Sequence, residues 1–159
     1  MADNLLVVRG LKQYYPVKGG LGKEPSYVKA VDNVDFEVRR GEVFGIVGES
    51  GSGKSVTALS VMGLLMGTTG KIEKGEILLD GRDIVHIGNE ERRKLRGSKI
   101  SMIFQEPMTS LNPVLTVGDQ ILEALELHND EGKSKEELDR RVEEMLELVS
   151  IPAVRKKDY

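Results

Sequence analysis

The 159-residue sequence contains no cysteine, which excludes disulfides and thiolate metal sites and suits a reducing compartment. Histidine is nearly as scarce. His86 and His128 are the only two; neither falls in a recognisable motif, and both read as surface residues with no assigned role. No stretch approaches the roughly 18 uninterrupted apolar residues of a membrane-spanning helix. The longest candidate, VTALSVMGLLMG at 56–67, is short and broken by Thr, Ser and Gly. The opening MADNLLVVRG lacks the basic, apolar and small-residue succession of a secretory signal. Charge of one sign is missing too: 23 Lys and Arg against 26 Asp and Glu leave a net charge of −3, so there is no global electrostatic case for a nucleic-acid partner. These absences predict a soluble, cytoplasmic chain. Its length fits one domain, burying roughly 70% of the surface its unfolded form exposes.

What is present is an ordered set of elements without internal repeats. LLVVRG at 5–10 and VKAVDNVDFEVRRGE at 28–42 read as strands. In the second, Val34, Phe36 and Val38 alternate with polar residues, as in a half-buried antiparallel strand. EVFGIVG at 42–48 is a nearly continuous apolar run bounded by glycine, the pattern of a strand covered on both faces. A helix is expected from about Gly53 to Met66, then a strand at 75–81 closed by Asp80-Gly81, a short charged helix in NEERRKLRG, and a second buried strand, KISMIFQ, at 99–105. After a Pro-punctuated loop come two helices. Thr116 is the expected N-cap of the first, with Val117, Ile121, Ala124 and Leu125 on one side. The second begins at Ser134, three residues before Glu137, which makes a capping box. Its Leu138, Val142, Met145, Leu146 and Val149 form one expected core stripe.

The segment GESGSGKS places Gly48, Gly53, Lys54 and Ser55 in the pattern G-x-x-x-x-G-K-[ST]. Polyphosphate is densely anionic, so a loop that holds it turns backbone N–H groups inward. That requires glycine wherever a Cβ would block the anion or forbid the dihedral angles, and Gly48, Gly51 and Gly53 supply this freedom. A helix starting at the loop's end adds unpaired N–H groups and its positive dipole end. Lys54 would reach the β and γ phosphates, and the Ser55 hydroxyl would take one position on Mg²⁺. Glu49, Ser50, Ser52 and Val56 complete the expected nucleotide-contacting segment 48–56. The competing reading is an ordinary Gly/Ser turn. Chance produces the four fixed positions in a chain of this length on the order of one time in a hundred, and an apolar run entering with a helical pattern leaving lowers that further.

GIVGESGSGKS, VKAVDNVDFEVRRGE and RGSKISMIFQEPMTSLNPVLTVGDQI at 96–121 together resemble the ATP-binding subunits of ABC transporters. Residues 105–113, with SLNP following QEP, resemble the branch that drives bacterial oligopeptide and dipeptide importers. The resemblance spans essentially the whole chain. It implies an α/β P-loop NTPase core of the ABC ATPase type, with an N-terminal antiparallel β region and a helical region. In domain terms, about 1–41 and 70–90 would form the β region, 42–69 and 98–105 the phosphate-loop core, and 106–159 the glutamine loop and helical region. Gln105 matches the family glutamine that approaches Mg²⁺ and the attacking water, a neutral amide able both to donate and to accept; read without the resemblance, it is a polar residue where a strand surfaces. The aromatic ring that the family stacks on adenine best matches Tyr15, with Tyr14 one residue away, though a tyrosine there equally covers the edge of the β region.

The resemblance also implies ATP and Mg²⁺ as cofactors, a second ATP-binding subunit, transmembrane permease subunits, and a location on the inner face of the cell membrane. The LSGGQ-type signature, the strand bearing the catalytic glutamate and the switch histidine are not found in the 159 residues, so no catalytic residue is assigned, with Lys54 and Gln105 in supporting roles. The expectation is therefore an N-terminal part of a longer subunit whose two buried-type strands lack neighbours and leave backbone groups and apolar faces uncovered, so that it is marginally stable or prone to aggregate by itself and can at most bind ATP without hydrolysing it. Two other readings stay open: a soluble ABC-type ATPase with no membrane partner, and a non-catalytic nucleotide-binding module.

Overall fold

Two fourteen-residue strands dominate the first half of the chain. The computed structural model describes residues 3–17, 26–106 and 110–159, which divide into two units, Met1–Arg93 and Lys94–Tyr159. In the first, β1 (Asn4–Val17), β2 (Ser26–Arg39), β3 (Lys71–Leu79) and the short β4 (Arg82–Asp83) form one antiparallel sheet in the order β2-β1-β3-β4. The expected strand at 5–10 falls within β1, and those at 28–42 and 75–81 overlap β2 and β3, which stop earlier, at Arg39 and Leu79. Val34, Phe36 and Val38 are half-buried while Asp35, Glu37 and Arg39 are exposed, the period-two pattern of a strand covered on one side. The turn into β4 carries Asp80 and Gly81 at positive φ, as a two-residue hairpin of that hand demands. The core is Val7, Val8 and Leu11 of β1, Val31 of β2, Ile77 and Leu79 of β3, with Val61, Met62 and Ile84.

The helix after the glycine loop, α1, runs Lys54–Val61, shorter than the expected span to Met66. Its stop signal is Gly63 at φ +62°. The Gly63 N–H donates to the Ser60 carbonyl and the Leu64 N–H to the Leu59 carbonyl, both at 3.0 Å, the paired bonds of a Schellman ending. A Cβ at Gly63 would also come within 2.6 Å of Arg92 Cδ. Arg92 lies in α2 (Asn89–Leu95) and is buried, donating to the Val85 and Ile87 carbonyls at 3.1 and 2.9 Å.

In the second unit, α3 (Val117–Leu127) and α4 (Lys135–Leu148) are followed by a 3₁₀ turn, Ala153–Lys157. Both helices begin with complete capping boxes, Thr116 with Asp119 and Ser134 with Glu137, each satisfying N–H groups that a helix start leaves free. Lys156 ties the 3₁₀ turn to α4 by donating to Asp139 and Glu143 at 2.7 and 2.6 Å. The expected stripe is narrower than its sequence pattern. Leu138, Val142 and Leu146 are buried, but Met145 and Val149 are exposed, as is Ala124 of α3. With α3 and a short 3₁₀ turn packed against it, α4 buries a single i, i+4 row, and positions flanking that row face solvent.

The two segments expected as buried-type strands lose their strand geometry, and their apolar faces are uncovered as the expected lack of neighbours implies. Residues 43–48 and 101–104 are in no strand. Val43, Val47 and Ile103 are 99%, 93% and 92% exposed. Phe44 finds partial cover by stacking on Phe36 of β2, with ring centroids 5.3 Å apart. An apolar run of this kind becomes a strand only between neighbours that take up its backbone N–H and C=O groups. Among the described residues neither segment has such neighbours, apart from one isolated bridge, Arg96 to Ile100.

Candidate phosphate-binding site

Residues 48–56 form a tight loop leading into α1, and its shape follows from three local facts. Gly51 and Gly53 adopt φ of +80° and +90°, a region that side chains with a Cβ rarely enter. The loop closes on itself, because the Ser52 N–H donates to the Glu49 carbonyl at 3.2 Å and a Cβ on Gly48 would lie 2.6 Å from Ser52 Oγ. Gly53 then serves as N-cap of α1 and supplies no side-chain cap. The first bond of the helix is the Thr57 N–H to the Gly53 carbonyl at 2.8 Å. The N–H groups of Lys54, Ser55 and Val56 therefore stand at an uncapped helix start, where the aligned peptide dipoles favour an anion.

Lys54 reaches back across the loop. Its Nζ donates to the Gly48 and Glu49 carbonyls at 2.8 Å each and lies 3.3 Å from Ser52 Oγ. The ammonium is thereby held at the loop's rim without a carboxylate partner among these bonds, so its charge is uncompensated there and directed by two neutral oxygens. Ser55 is exposed at the second helical position. Uncapped N–H groups, one ammonium and an exposed hydroxyl make a donor set suited to a polyphosphate and its Mg²⁺. No group of three or more His, Asp or Glu able to hold a metal by themselves occurs among the described residues, so a cation here would take most of its oxygens from the phosphates.

Gly53 has a second constraint that sequence reading missed. Between the pairs Gln13↔Val31 and Tyr14↔Lys29 the β1–β2 ladder shifts by one residue, leaving Ala30 as a bulge on β2. The carbonyl oxygen of Ala30 lies 2.4 Å from where a Cβ on Gly53 would be. The glycine is thus demanded both by its dihedral angle and by a backbone oxygen from a strand more than twenty residues earlier. A trace of this is visible in VKAVDNVDF, where the adjacent apolar pair Ala30-Val31 breaks the alternation.

The two tyrosines separate by face. Tyr14 is engaged: its hydroxyl donates to Asp32 Oδ1 at 2.6 Å, its ring lies 6.5 Å from Tyr27, and Lys29 Nζ sits 5.5 Å from its centroid. The bond to Asp32, then burial, then the nearby charges of Asp32 and Glu73 push the Tyr14 hydroxyl up to about 12, while the same bond holds Asp32 low. Tyr15 is half-buried and instead leans on Gly70, where an added Cβ would meet the Tyr15 ring at 2.4 Å and the Gln13 amide at 2.6 Å. The first unit therefore contains Tyr15 and all of 48–56. Gln105 belongs to the second unit, where it is exposed and lines an open depression with Phe104, Glu106 and Ser110. Residues 107–109 of the loop that follows it, and 18–25 between β1 and β2, lie outside the described residues. His86 sits 2.7 Å from Asp83 and is exposed, and His128 is also exposed.

Comparison with known proteins gives concordant matches. The family description "ABC transporter" matches residues 31–159. The chain is 49% identical over 147 residues to the oligopeptide transport ATP-binding protein AppD of Bacillus subtilis, covering 92% of this chain and 42% of that protein. It is 46% identical over 131 residues to the dipeptide transport ATP-binding protein DppD of Escherichia coli, covering 82% of this chain and 39% of the relative. It thus spans about two-fifths of the length of these curated relatives. Among solved structures, a dimeric ATP-binding cassette in a post-hydrolysis state bound to ADP and Pi superposes with a TM-score of 0.73 at 27% identity, over 96% of this chain and 60% of that one.

Proposed function

The chain belongs to the ABC transporter family, and from that premise we propose that it binds Mg-ATP as part of the nucleotide-binding subunit of an importer for di- or oligopeptides. The observation that carries this reading is the loop at 48–56. Its glycine dihedrals, closed shape, uncapped helix start and rim-held ammonium are what a triphosphate requires. In this reading the N–H groups of residues 49–56 wrap the phosphates. Lys54, now on the carbonyls of Gly48 and Glu49, would hold the β and γ oxygens, and Ser55 would supply an oxygen to Mg²⁺. Tyr15, seated on Gly70, would present its ring to adenine, and the Gln105 amide would take the family role of a neutral donor and acceptor toward Mg²⁺ and water. Mg²⁺ neutralises phosphate charge when bound.

The cargo follows the printed names of the relatives, which describe oligopeptide and dipeptide transport. Such a subunit works with a second ATP-binding subunit and with permease subunits. It sits at the cytoplasmic face of the membrane through those partners. No helix among the described residues is long and apolar enough to cross a bilayer. The role assigned to these 159 residues is binding and placement of charge, with hydrolysis in the whole subunit. The test is an equilibrium titration with Mg-ATP beside Lys54→Ala. The expected result is saturable binding weakened tenfold or more by the substitution, about 1.4 kcal/mol; equal binding by both proteins would refute the site.

A further inference from the structure

The bulge at Ala30 joins two features that a nucleotide would have to span. On one side of it in sequence, Lys29 and Val28 pair with Tyr14 and Tyr15; on the other, Val31 pairs with Gln13 and is buried in the core. Ala30 itself is the residue left over, and its carbonyl oxygen occupies the space beside Gly53 that any other residue's Cβ would need. Val31 Cγ2 lies 3.6 Å from the same point. The start of α1 therefore rests against β2 at the bulge, one residue from the tyrosine pairs. A bulge turns the strand and re-aims the side chains that follow it, and backbone packed against backbone yields far less readily than a side-chain tip.

We propose that Ala30 is a positioning residue that sets the distance between the ring of Tyr15 and the phosphate loop, so that one ligand reaches both. The role rests on the nucleotide-binding reading above and adds to it a determinant of how base and triphosphate share the site. It makes Ala30 matter only for ligands that carry a base. A bare polyphosphate engages the loop and the helix start alone and has no need of the spacing.

The experiment uses the 159-residue chain and two ligands, Mg-ATP and magnesium tripolyphosphate, each titrated by calorimetry. Deleting Ala30 removes the extra residue while leaving the pairs Gln13↔Val31, Tyr14↔Lys29 and Tyr15↔Val28 free to form in one continuous ladder. The expected result is a loss of affinity for Mg-ATP at least tenfold greater than any loss for tripolyphosphate. The loss should not add to that of Tyr15→Ala, since both act through the same ring. Equal loss for both ligands, or no loss for either, would overturn the proposal. If the deletion loses its β-sheet circular dichroism, Ala30→Val decides instead, because a β-branched residue favours the regular strand over the bulge. It should lower Mg-ATP affinity severalfold and spare tripolyphosphate, and a parallel fall in both would count against the spacing role. Lys54→Ala is run alongside. Should it leave tripolyphosphate binding intact, the phosphate site itself is wrong, a failure separate from that of the spacer.

Discussion

Replacing Gly53 with alanine tests whether the loop is shaped by its own residues or by the strand behind it. The new Cβ would meet the Ala30 carbonyl oxygen at 2.4 Å and would sit on a backbone at φ +90°. Holding an L-residue in a left-handed region costs roughly 1–2 kcal/mol, and relieving a backbone clash by shifting packed structure adds roughly 1–3 kcal/mol. The sum is about 2–5 kcal/mol. Gly51 separates the two contributions, because it has φ +80° but no atom within 4 Å of an added Cβ, so Gly51→Ala should show only the dihedral cost of roughly 1–2 kcal/mol. Gly45 has neither constraint, which makes Gly45→Ala a neutral control. Urea unfolding followed by the β-sheet signal, with Mg-ATP titration of each variant, reads both consequences. The expected order of damage is Gly53 well beyond Gly51, with Gly45 unaffected. Equal effects at Gly53 and Gly51 would show that the Ala30 contact yields freely and that the strand does not hold the loop.

Two further outcomes follow from the packing and the titration chemistry. The Tyr14 hydroxyl should ionise at about pH 12, a component visible in an ultraviolet titration and lost in Tyr14→Phe. Because its folded value lies above the ordinary 10.0, the stability it contributes is fully present below pH 10 and is lost as pH rises toward 12. A titration with no component near 12 would mean that the bond to Asp32 does not persist in solution. In the second unit, Leu146 is only 2% exposed and ends the buried row of α4, so Leu146→Ala should cost roughly 2–3 kcal/mol, the lower part of the range for buried leucine. Exposed Leu148, at 75%, should tolerate the same change with less than about 0.5 kcal/mol. Comparable losses at both positions by helical circular dichroism would contradict the single-row packing.

Much of the site was legible in the sequence because its signals are local. The four fixed positions of GESGSGKS lie within eight residues, and the dihedral demands at Gly51 and Gly53 arise inside the loop. The capping boxes at Thr116 and Ser134 each need only a partner three residues on. Gly63 was equally local, and its stop signal lay unread inside an apolar run. Periodicity was less decisive. It marked Leu138, Val142 and Leu146 correctly but also Met145 and Val149, because a stripe states which side chains share a face and not how wide a neighbour covers it.

The sequence by itself determined the glycine loop at 48–56, the helix starts, the alternation of β2 and the membership of a family of ATP-binding proteins, all of which depend on residue types at short spacing. Tertiary structure alone decided what the loop rests on, which tyrosine is engaged, and whether an apolar run becomes a strand. Ala30 meets Gly53 only after a hairpin and a bulge bring them together. Asp32 claims Tyr14 across the same ladder and leaves Tyr15 to Gly70. EVFGIVG and SMIFQ carry the composition of buried strands, yet a strand exists only where another backbone answers its N–H and C=O groups, and no local pattern supplies that partner.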